Sequence, residues 1–247
     1  MTVNTSNTNQ TNILSLITHE LRSPLNTING YLDLALGGAA GEINEQLREF
    51  LVRSRAASEH LYMLLENLLL VARADAGQWR LNCDLLNLQD VVLDAVEALQ
   101  LTATDQGITV ITECVSPWPL LYADFVRLQQ VLYNLLSNAL RFTPQGGQVT
   151  ISAQLERNIG RYAVSDEHEQ VVVLQVRDSG CGIAPEYQQH IFERFFQLPA
   201  DVGHSRGQGL GLSVVKMIVE QHGGSVIVES SPGQGSTFIC ILPCLLS

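Results

Sequence analysis

The strongest constraint on the fold is a pair of long helical patterns at the start of the chain. From Asn12 to about Leu36 apolar residues recur at heptad spacing, and a second helical pattern runs from about Ile43 to Ala76. The glycine-rich run 37–41 between them predicts a tight turn. Two long helices joined in this way form an antiparallel hairpin, which has no second layer to cover both apolar faces. We therefore expect a homodimer in which two hairpins build a four-helix bundle.

Heptad numbering locates the apolar seam of the first helix. With Leu14 at position a, the seam residues are Leu14, Ile17, Leu21, Ile28, Tyr31 and Ala35. The small polar residues 1–11 that precede this seam are expected to fray. The first helix thus offers an apolar seam, as a bundle requires.

Composition excludes several classes of protein. The chain has 247 residues, of which 46% are apolar and 16% charged, so it can bury a substantial core. Its net charge of -11 argues against a nucleic-acid partner, because phosphates are bound by a basic surface. Five cysteines without C-x-x-C spacing indicate reduced thiols in a cytoplasmic protein. No apolar run approaches the ~20 residues that cross a bilayer, so no membrane insertion is expected.

After Gly77 the pattern changes to short helices mixed with strands, without strict strand–helix–strand alternation. This mixture of elements predicts an α+β chain, with a helical hairpin as domain 1–80 and an α/β sandwich as domain 81–247. Asp124 is a plausible N-cap for a helix that ends near Phe142. The other expected elements are helices at 88–104 and 210–222 and strands at 107–115, 149–155, 171–177, 226–229 and 237–242.

The first candidate for chemistry is the segment THELRSPL at 18–25. His19 falls at heptad position f, away from the seam, so the plain alternative is a solvated surface histidine. Glu20 can bind one imidazole nitrogen and act as its base, which makes the other nitrogen a better nucleophile. Arg22 adds a cation near an incoming phosphoryl group. Pro24 predicts a bend just after His19, and the alternative is a helix that ends at Pro24.

A second candidate lies in the helix before Phe142, where Asn134 and Asn138 share one face and Arg141 lies a turn further on. Asparagine is a mediocre helix former, so two on one face suggest amide oxygens aimed at a ligand or a cation. Oxygen ligands suit Mg²⁺, which nucleotide phosphates can complete. The alternative is a polar stripe that faces solvent.

A third candidate is Asp178, which directly follows an apolar strand. A buried carboxylate at a strand end can accept a hydrogen bond from an exocyclic amine such as that of adenine. Gly180 and Gly182 permit backbone angles closed to other residues and allow a ligand to approach. An ordinary Asp/Gly turn is the alternative.

The fourth candidate is a run of glycines that opens the last helix, at Gly207, Gly209 and Gly211. Amides at a helix N-terminus bind anions, and glycines let phosphate come close. A Rossmann site is excluded, because its spacing requires glycine at position 212, which is Leu212. A flexible hinge is the alternative. The chain's single lysine, Lys216, precedes Met217, so a Gly-Lys-Ser/Thr phosphate loop is absent from the sequence.

Taken together and in this order, the segments resemble the sensor histidine kinases of two-component systems. The resemblance spans residues 12 to 243 and includes a phosphoacceptor box, an asparagine box, two glycine boxes and a phenylalanine box. In chain order the matching segments are THELRSPL, RLQQVLYNLLSNALRFTPQGG, DSGCGI, IFERFFQ, GQGLGLSVVK and the closing strand GSTFICILP.

In the hairpin the resemblance implies that His19 is the phosphorylated residue and Glu20 its acid/base partner. Ser23 matches the position where the family often has a residue that orients water for dephosphorylation of the partner. The implied partner is a response-regulator receiver domain, whose Asp takes the phosphoryl group.

In the second domain the resemblance implies a Bergerat-type ATP fold. Asn138 would coordinate Mg²⁺ with Asn134 beside it, Arg141 would contact phosphates, and Phe142 would pack on the nucleotide. Asp178 would hold the adenine amine.

The remaining implied residues surround the nucleotide. Thr237 would reach the adenine edge, and residues 196–206 would form a mobile lid. The pocket and lid would be shaped by Gly180, Gly182, Gly207, Gly209 and Gly211.

The expected function is that of an ATP-dependent, autophosphorylating protein histidine kinase with ATP and Mg²⁺ as cofactors, which is also competent as a phosphatase. The expected location is the cytoplasm, either as a complete protein or as the cytoplasmic part of a longer receptor. Three alternatives stay open: an ATPase or chaperone-type module with the same pocket, a degenerate kinase that acts as a dimeric scaffold, and an anti-sigma-type serine kinase. The last of these lacks the long hairpin seen here at 12–76.

Overall fold

The computed structural model describes residues 4–39, 41–114, 118–164, 169–198 and 209–244. The side chains of residues 4–19, His60, Cys114 and Arg161 lie outside the described set. The chain divides into two compact units, residues 1–80 and residues 81–247. In the described parts of the chain, none of the helices is long and apolar enough to cross a membrane.

The first unit is a helical hairpin. Helix α1 spans Asn4–Leu36 and helix α2 spans Glu45–Asp75. Helix α1 starts within the polar stretch expected to fray, and it runs without interruption through Pro24, which excludes a helix that ends there. Helix α2 is capped by Asn44, whose side chain accepts a hydrogen bond from the amide of Leu47 at 2.8 Å.

The inner stripe of α1 differs from the heptad seam found in the sequence. The described side chains that are buried or half-buried recur at spacings of three and four residues; they are Arg22, Leu25, Asn29, Leu32 and Leu36, with Ala35 beside them. The predicted seam residues Leu21, Ile28 and Tyr31 instead remain 42%, 48% and 71% exposed. Among the predicted seam residues whose side chains are described, these three therefore lie on a neighbouring, outward stripe, whereas Ala35 lies beside the inner stripe.

The second unit is an α/β sandwich, so the predicted fold class is confirmed. Its main sheet has the strand order β2-β4-β5-β7-β6, with β2 parallel to β4 and the other neighbours antiparallel. A separate ribbon, β1 with β3, was not predicted. The strands are β1 Asp84–Asn87, β2 Thr109–Cys114, β3 Leu120–Ala123, β4 Gln148–Arg157, β5 Gln170–Asp178, β6 Ser225–Ser230 and β7 Ser236–Pro243. The helices are α3 Leu88–Asp105, α4 Phe125–Phe142, the short α5 Pro185–Gln188 and α6 Gly211–Gln221.

Strands β5 and β7 are buried on both faces of the sheet, which explains their nearly continuous apolar runs, whereas β4 alternates between apolar and polar residues. Helices α3, α4 and α6 pack against the face that carries Leu174, Val176 and Asp178 of β5. The opposite, outer face holds a buried cluster of Val171, Val173, Ile239 and Ile241. Tyr162 and Val164 pack against this cluster, as does Ile227 of β6, so part of the connection between β4 and β5 covers the outer face.

Candidate functional site

Asp178 is a buried, hydrogen-bonded carboxylate of the α/β unit. It ends β5, its residue is 5% exposed, and its Oδ1 accepts hydrogen bonds from the amides of Gly180 at 2.8 Å and Ser236 at 3.3 Å. Burial raises the pKa of Asp178, and the two amide hydrogen bonds oppose part of that rise. Within the described residues both hydrogen bonds end on Oδ1, so Oδ2 retains acceptor capacity for a bound group.

The glycines after Asp178 serve the protein's own backbone rather than open space for a ligand. A Cβ added to Gly180 would lie 2.5 Å from the carbonyl oxygen of Phe142, and one added to Gly182 would lie 2.0 Å from that of Ser231. Gly182 also has a φ of +72°, a conformation that side chains rarely tolerate. Gly180 therefore lets the Asp178 loop touch the end of α4, and Gly182 lets it touch the turn after β6.

Helix α4 carries the asparagine residues to the same region. Asp124 caps the helix by accepting from the Arg127 amide at 3.2 Å, as predicted. Asn134 is buried, while Asn138, one turn later, is half-exposed, as are Arg141 and Phe142. Since α4 ends beside the Asp178 loop, the polar face of its last two turns lies at the edge of that loop.

The start of α6 completes the site. Gly211 packs so closely on α4 that an added Cβ would lie 3.1 Å from Oδ1 of Asn134. Gly209 has a φ of +70°, and its carbonyl oxygen accepts from the amide of Phe195 at 2.8 Å. The structure thus brings together the Asn face of α4, the Asp178 loop and the N-terminus of α6. Gly207 and residues 199–206 of the predicted lid lie outside the described residues.

Thr237 is not brought to Asp178. In the register of the sheet Asp178 pairs with Ser236, and Thr237 pairs with Arg177, so Thr237 lies on the outer face. Ser236 is the residue that the sequence interpretation missed. The alternation of β7 does not single it out, because Phe238 and Cys240 on its face and Ile239 and Ile241 on the other face are all buried.

In the hairpin, the described side chains around the predicted phosphoacceptor are mostly exposed. His19 lies within α1, but its side chain is outside the described set; Glu20 and Ser23 are exposed. Arg22 forms an ion pair with Glu66 of α2, and this hydrogen bond raises the pKa of Arg22. The sequence analysis placed Arg22 near an incoming phosphoryl group, whereas in the structure it links α1 to α2 through its ion pair with Glu66.

The residues of the α/β unit fit an adenine nucleotide with magnesium. A buried carboxylate with one oxygen available suits an amine donor, and the half-exposed Asn138 lies on α4, the helix whose last residue, Phe142, contacts the Asp178 loop. Among the described residues no three His, Cys, Asp or Glu side chains gather as a metal site. A magnesium ion held by Asn138 would therefore take most of its ligands from phosphate and water.

Two protein-family models match the chain. The phospho-acceptor domain called His Kinase A matches residues 9–77. The family described as histidine kinase-, DNA gyrase B- and HSP90-like ATPase matches residues 123–245. The first match covers the hairpin, and the second covers α4 together with the Asp178 loop and α6.

Curated relatives and solved structures agree with these matches. Sensor protein DivL of Caulobacter vibrioides is 42% identical over 92% of this chain, which corresponds to 27% of DivL. Sensor protein SrrB of Staphylococcus aureus is 34% identical over 92% of this chain and 37% of its own length. The structure of full-length ShkA in complex with AMPPNP superposes with a TM-score of 0.66 at 29% identity, over 94% of this chain and 45% of ShkA. The chain thus spans less than half the length of each of these proteins.

Proposed function

We propose that this chain, which belongs to the sensor histidine kinases and matches their catalytic core, is an ATP-dependent kinase that phosphorylates its own His19. The phosphoryl group then passes to an Asp of a response-regulator receiver domain. The observation that carries the proposal is the buried Asp178 carboxylate, held by Oδ1 alone, beside the Asn face of α4.

Each group of the α/β unit has a role in this proposal. Asp178 accepts the adenine amine through Oδ2, and Asn138 coordinates Mg²⁺ with Asn134 beside it. Arg141 contacts the phosphates, and Phe142 packs on the nucleotide. Bound Mg²⁺ supplies positive charge that neutralises the phosphates.

In the transfer step, a ring nitrogen of His19 forms a bond to the γ-phosphorus while the bond from that phosphorus to the bridging oxygen breaks, and ADP leaves. Glu20 accepts the proton from the other ring nitrogen, so the imidazole does not build up positive charge. Glu20 is exposed on the same helix, which makes it accessible to this exchange.

The hairpin supports a homodimer. Its described surface carries large apolar side chains on both helices, and these are Leu21, Ile28, Tyr31, Leu34, Leu47, Phe50 and Leu61. An apolar surface of this kind marks an interaction site, and a second hairpin of the same sequence presents the same stripes for a four-helix bundle.

We also propose that Ser23 helps the reverse reaction on the partner. Ser23 is exposed and lies one helical turn after His19, so a receiver domain that docks at His19 would also meet Ser23. Its hydroxyl can orient the water that removes the phosphoryl group from the receiver Asp.

The test of the proposed function is incubation with Mg²⁺ and γ-labelled ATP. The wild type is expected to acquire acid-labile, base-stable label, and His19→Ala is expected to lose it. His190→Ala is the matched control, because His190 is an exposed histidine of the α/β unit and should not affect labelling. ATP turnover without protein-bound label would refute the kinase proposal in favour of a simple ATPase.

A further inference from the structure

Ser230, the last residue of β6, joins the Asp178 loop to the start of β7. Its Oγ accepts from the amide of Ile183 at 2.7 Å, donates to the carbonyl oxygen of Gly235 at 2.8 Å, and lies 3.0 Å from Oγ of Ser236. A serine hydroxyl has one donor and two acceptor positions, so the Ser236 hydroxyl must be the donor in the last contact. The full hydrogen-bonding capacity of Ser230 Oγ is therefore in use.

Further contacts hold the same segments together. Nε2 of Gln188 donates to the carbonyl oxygens of Ile183 at 3.0 Å and Ser230 at 2.9 Å. The carbonyl oxygen of Cys181 accepts from the Gly233 amide at 2.7 Å. The loop 179–183 is consequently attached along its length to the turn between β6 and β7.

The two amides that hold Asp178 belong to the two segments that Ser230 joins. Gly180 lies in the loop, and Ser236 begins β7. Ser230 itself makes no hydrogen bond to Asp178 among the described contacts, so it can act on the carboxylate only through these segments. A change in their separation would let the carboxylate rotate and would move Oδ2.

We propose that Ser230 is a positioning residue for adenine recognition: its hydroxyl fixes the Asp178 loop relative to β7 and thereby aims Oδ2 of Asp178 at the exocyclic amine. This inference rests on the proposed function, which assigns Asp178 to the adenine amine. Loss of a residue that merely stabilises the sheet would weaken the binding of every nucleotide equally. Loss of a positioning residue would weaken the binding of nucleotides that carry the amine.

The discriminating probe is inosine triphosphate, which carries an oxygen where ATP has the amine. A carboxylate accepts a hydrogen bond from the amine but repels the oxygen, so the wild type should prefer ATP. Equilibrium binding of each nucleotide with Mg²⁺ is measured on the full chain. Ser230→Ala should weaken the binding of ATP roughly tenfold and that of inosine triphosphate less than about twofold, so that the preference for ATP is largely lost.

Two variants serve as controls. Ser230→Thr keeps the hydroxyl and should restore the preference for ATP to within about threefold of wild type. Ser231→Ala changes the exposed neighbour and should leave both affinities unchanged. If Ser230→Ala does not fold, Ser230→Cys, with a similar shape and weaker hydrogen bonds, should show the same loss of preference.

An unchanged preference in Ser230→Ala, even with a lower melting temperature, would overturn the inference. A wild type without any preference for ATP would overturn it together with the role of Asp178. A wild type that prefers ATP but leaves His19 unlabelled would refute the proposed kinase activity alone.

Discussion

The hairpin and the sheet of the α/β unit bury their apolar residues to different extents. In the α/β unit, consecutive residues of β5 such as Val172 and Val173 are 0% exposed, because helices cover one face of the sheet and the β4–β5 connection covers the other. In the hairpin, Leu25 is buried, while Tyr31 and Phe50 are 71% and 56% exposed.

This difference in burial indicates which unit can be stable on its own. The α/β unit closes its own core, so its stability is a property of the single chain. The hairpin keeps large apolar side chains on an outer stripe, and the proposed dimer would cover them with a second hairpin. The stability of such a unit depends on the concentration of its partner.

The largest expected effect separates the two units by function. Asn138→Ala removes the proposed magnesium ligand and should lower the labelling rate at least ~100-fold, about 2.7 kcal/mol, without loss of helix, since alanine favours helices. Gel filtration should still show a dimer, and nucleotide binding should fall. His19→Ala should show the complementary result, with label lost and nucleotide binding kept. If Asn138→Ala labels normally, the metal assignment is wrong.

The next-largest effect is expected for the buried core of the α/β unit. Leu132 of α4 is 0% exposed, so Leu132→Ala should lower the free energy of unfolding of the α/β unit by roughly 2–5 kcal/mol, as measured by urea denaturation. Leu93→Ala is the matched control on α3, where the side chain is 51% exposed; it should change stability by less than about 0.5 kcal/mol. Equal effects of the two variants would contradict the packing described for this unit.

The dimer prediction tests the open surface of the hairpin. Tyr31→Asp places a charge in the proposed interface and should raise the dimer dissociation constant at least ~100-fold, because an unpaired carboxylate resists burial. Ile159→Asp is the control, since Ile159 is 66% exposed on the α/β unit and should leave the dimer intact. Sedimentation equilibrium measures both. A Tyr31→Asp variant that dimerises like the wild type would show that this stripe is not the interface.

The elements that could be predicted from sequence are those where local signals agree. Helix α4 begins and ends where Asp124 and Phe142 indicated, because the capping residue and the helical pattern that follows it agree. The two long helices were likewise predicted, but their inner stripe was not. Heptad spacing identifies an apolar stripe without saying which partner it faces, and the outward position of Ile28 shows that limit.

The site was predictable in part for a similar reason. Asp178 and the glycines that follow it stand out in the sequence by residue type, so this loop could be proposed as part of a site from sequence alone. The choice between Ser236 and Thr237 depends on strand register, which a single sequence fixes only through alternation. The role of Gly180 in backbone contact with α4, and the ion pair of Arg22, depend on segments distant in sequence.

A smaller effect concerns acid sensitivity, which should reside in the α/β unit. Nε2 of His222 accepts from the Asp124 amide at 3.0 Å, and its Nδ1 lies 2.8 Å from the Ile218 carbonyl oxygen, so the ring is neutral with the proton on Nδ1. Burial lowers the pKa of His222, so the unfolded chain takes up the proton more readily than the folded one. Stability should therefore be fully present above about pH 6.5 and fall below it, by at most about 1.4 kcal/mol per pH unit.

Urea denaturation between pH 5 and pH 8 measures this slope. His222→Gln should lower stability at neutral pH and flatten the slope below about pH 6.5. His190→Gln should keep the slope, because His190 is exposed and pairs with Glu193 at the surface. A slope that survives in His222→Gln would assign the acid sensitivity to other groups.

The smallest effect compares two ion pairs between α1 and α2. Arg55 lies 3.0 Å from Asp33 of α1 and 3.0 Å from Glu59 of its own helix, and all three side chains are about half-exposed, so Arg55→Met should change stability by less than about 0.5 kcal/mol. The Arg22–Glu66 pair is less exposed, at 37% and 20%, so Arg22→Met should cost up to about 1 kcal/mol. Because Arg22 lies on the inner stripe beside Leu25, removal of its charge also leaves the carboxylate of Glu66 partly shielded from water. Thermal unfolding of the dimer at low and high salt distinguishes the pairs: the effect of Arg55→Met should vanish in high salt, and that of Arg22→Met should persist, since screening acts weakly on a pair between packed helices.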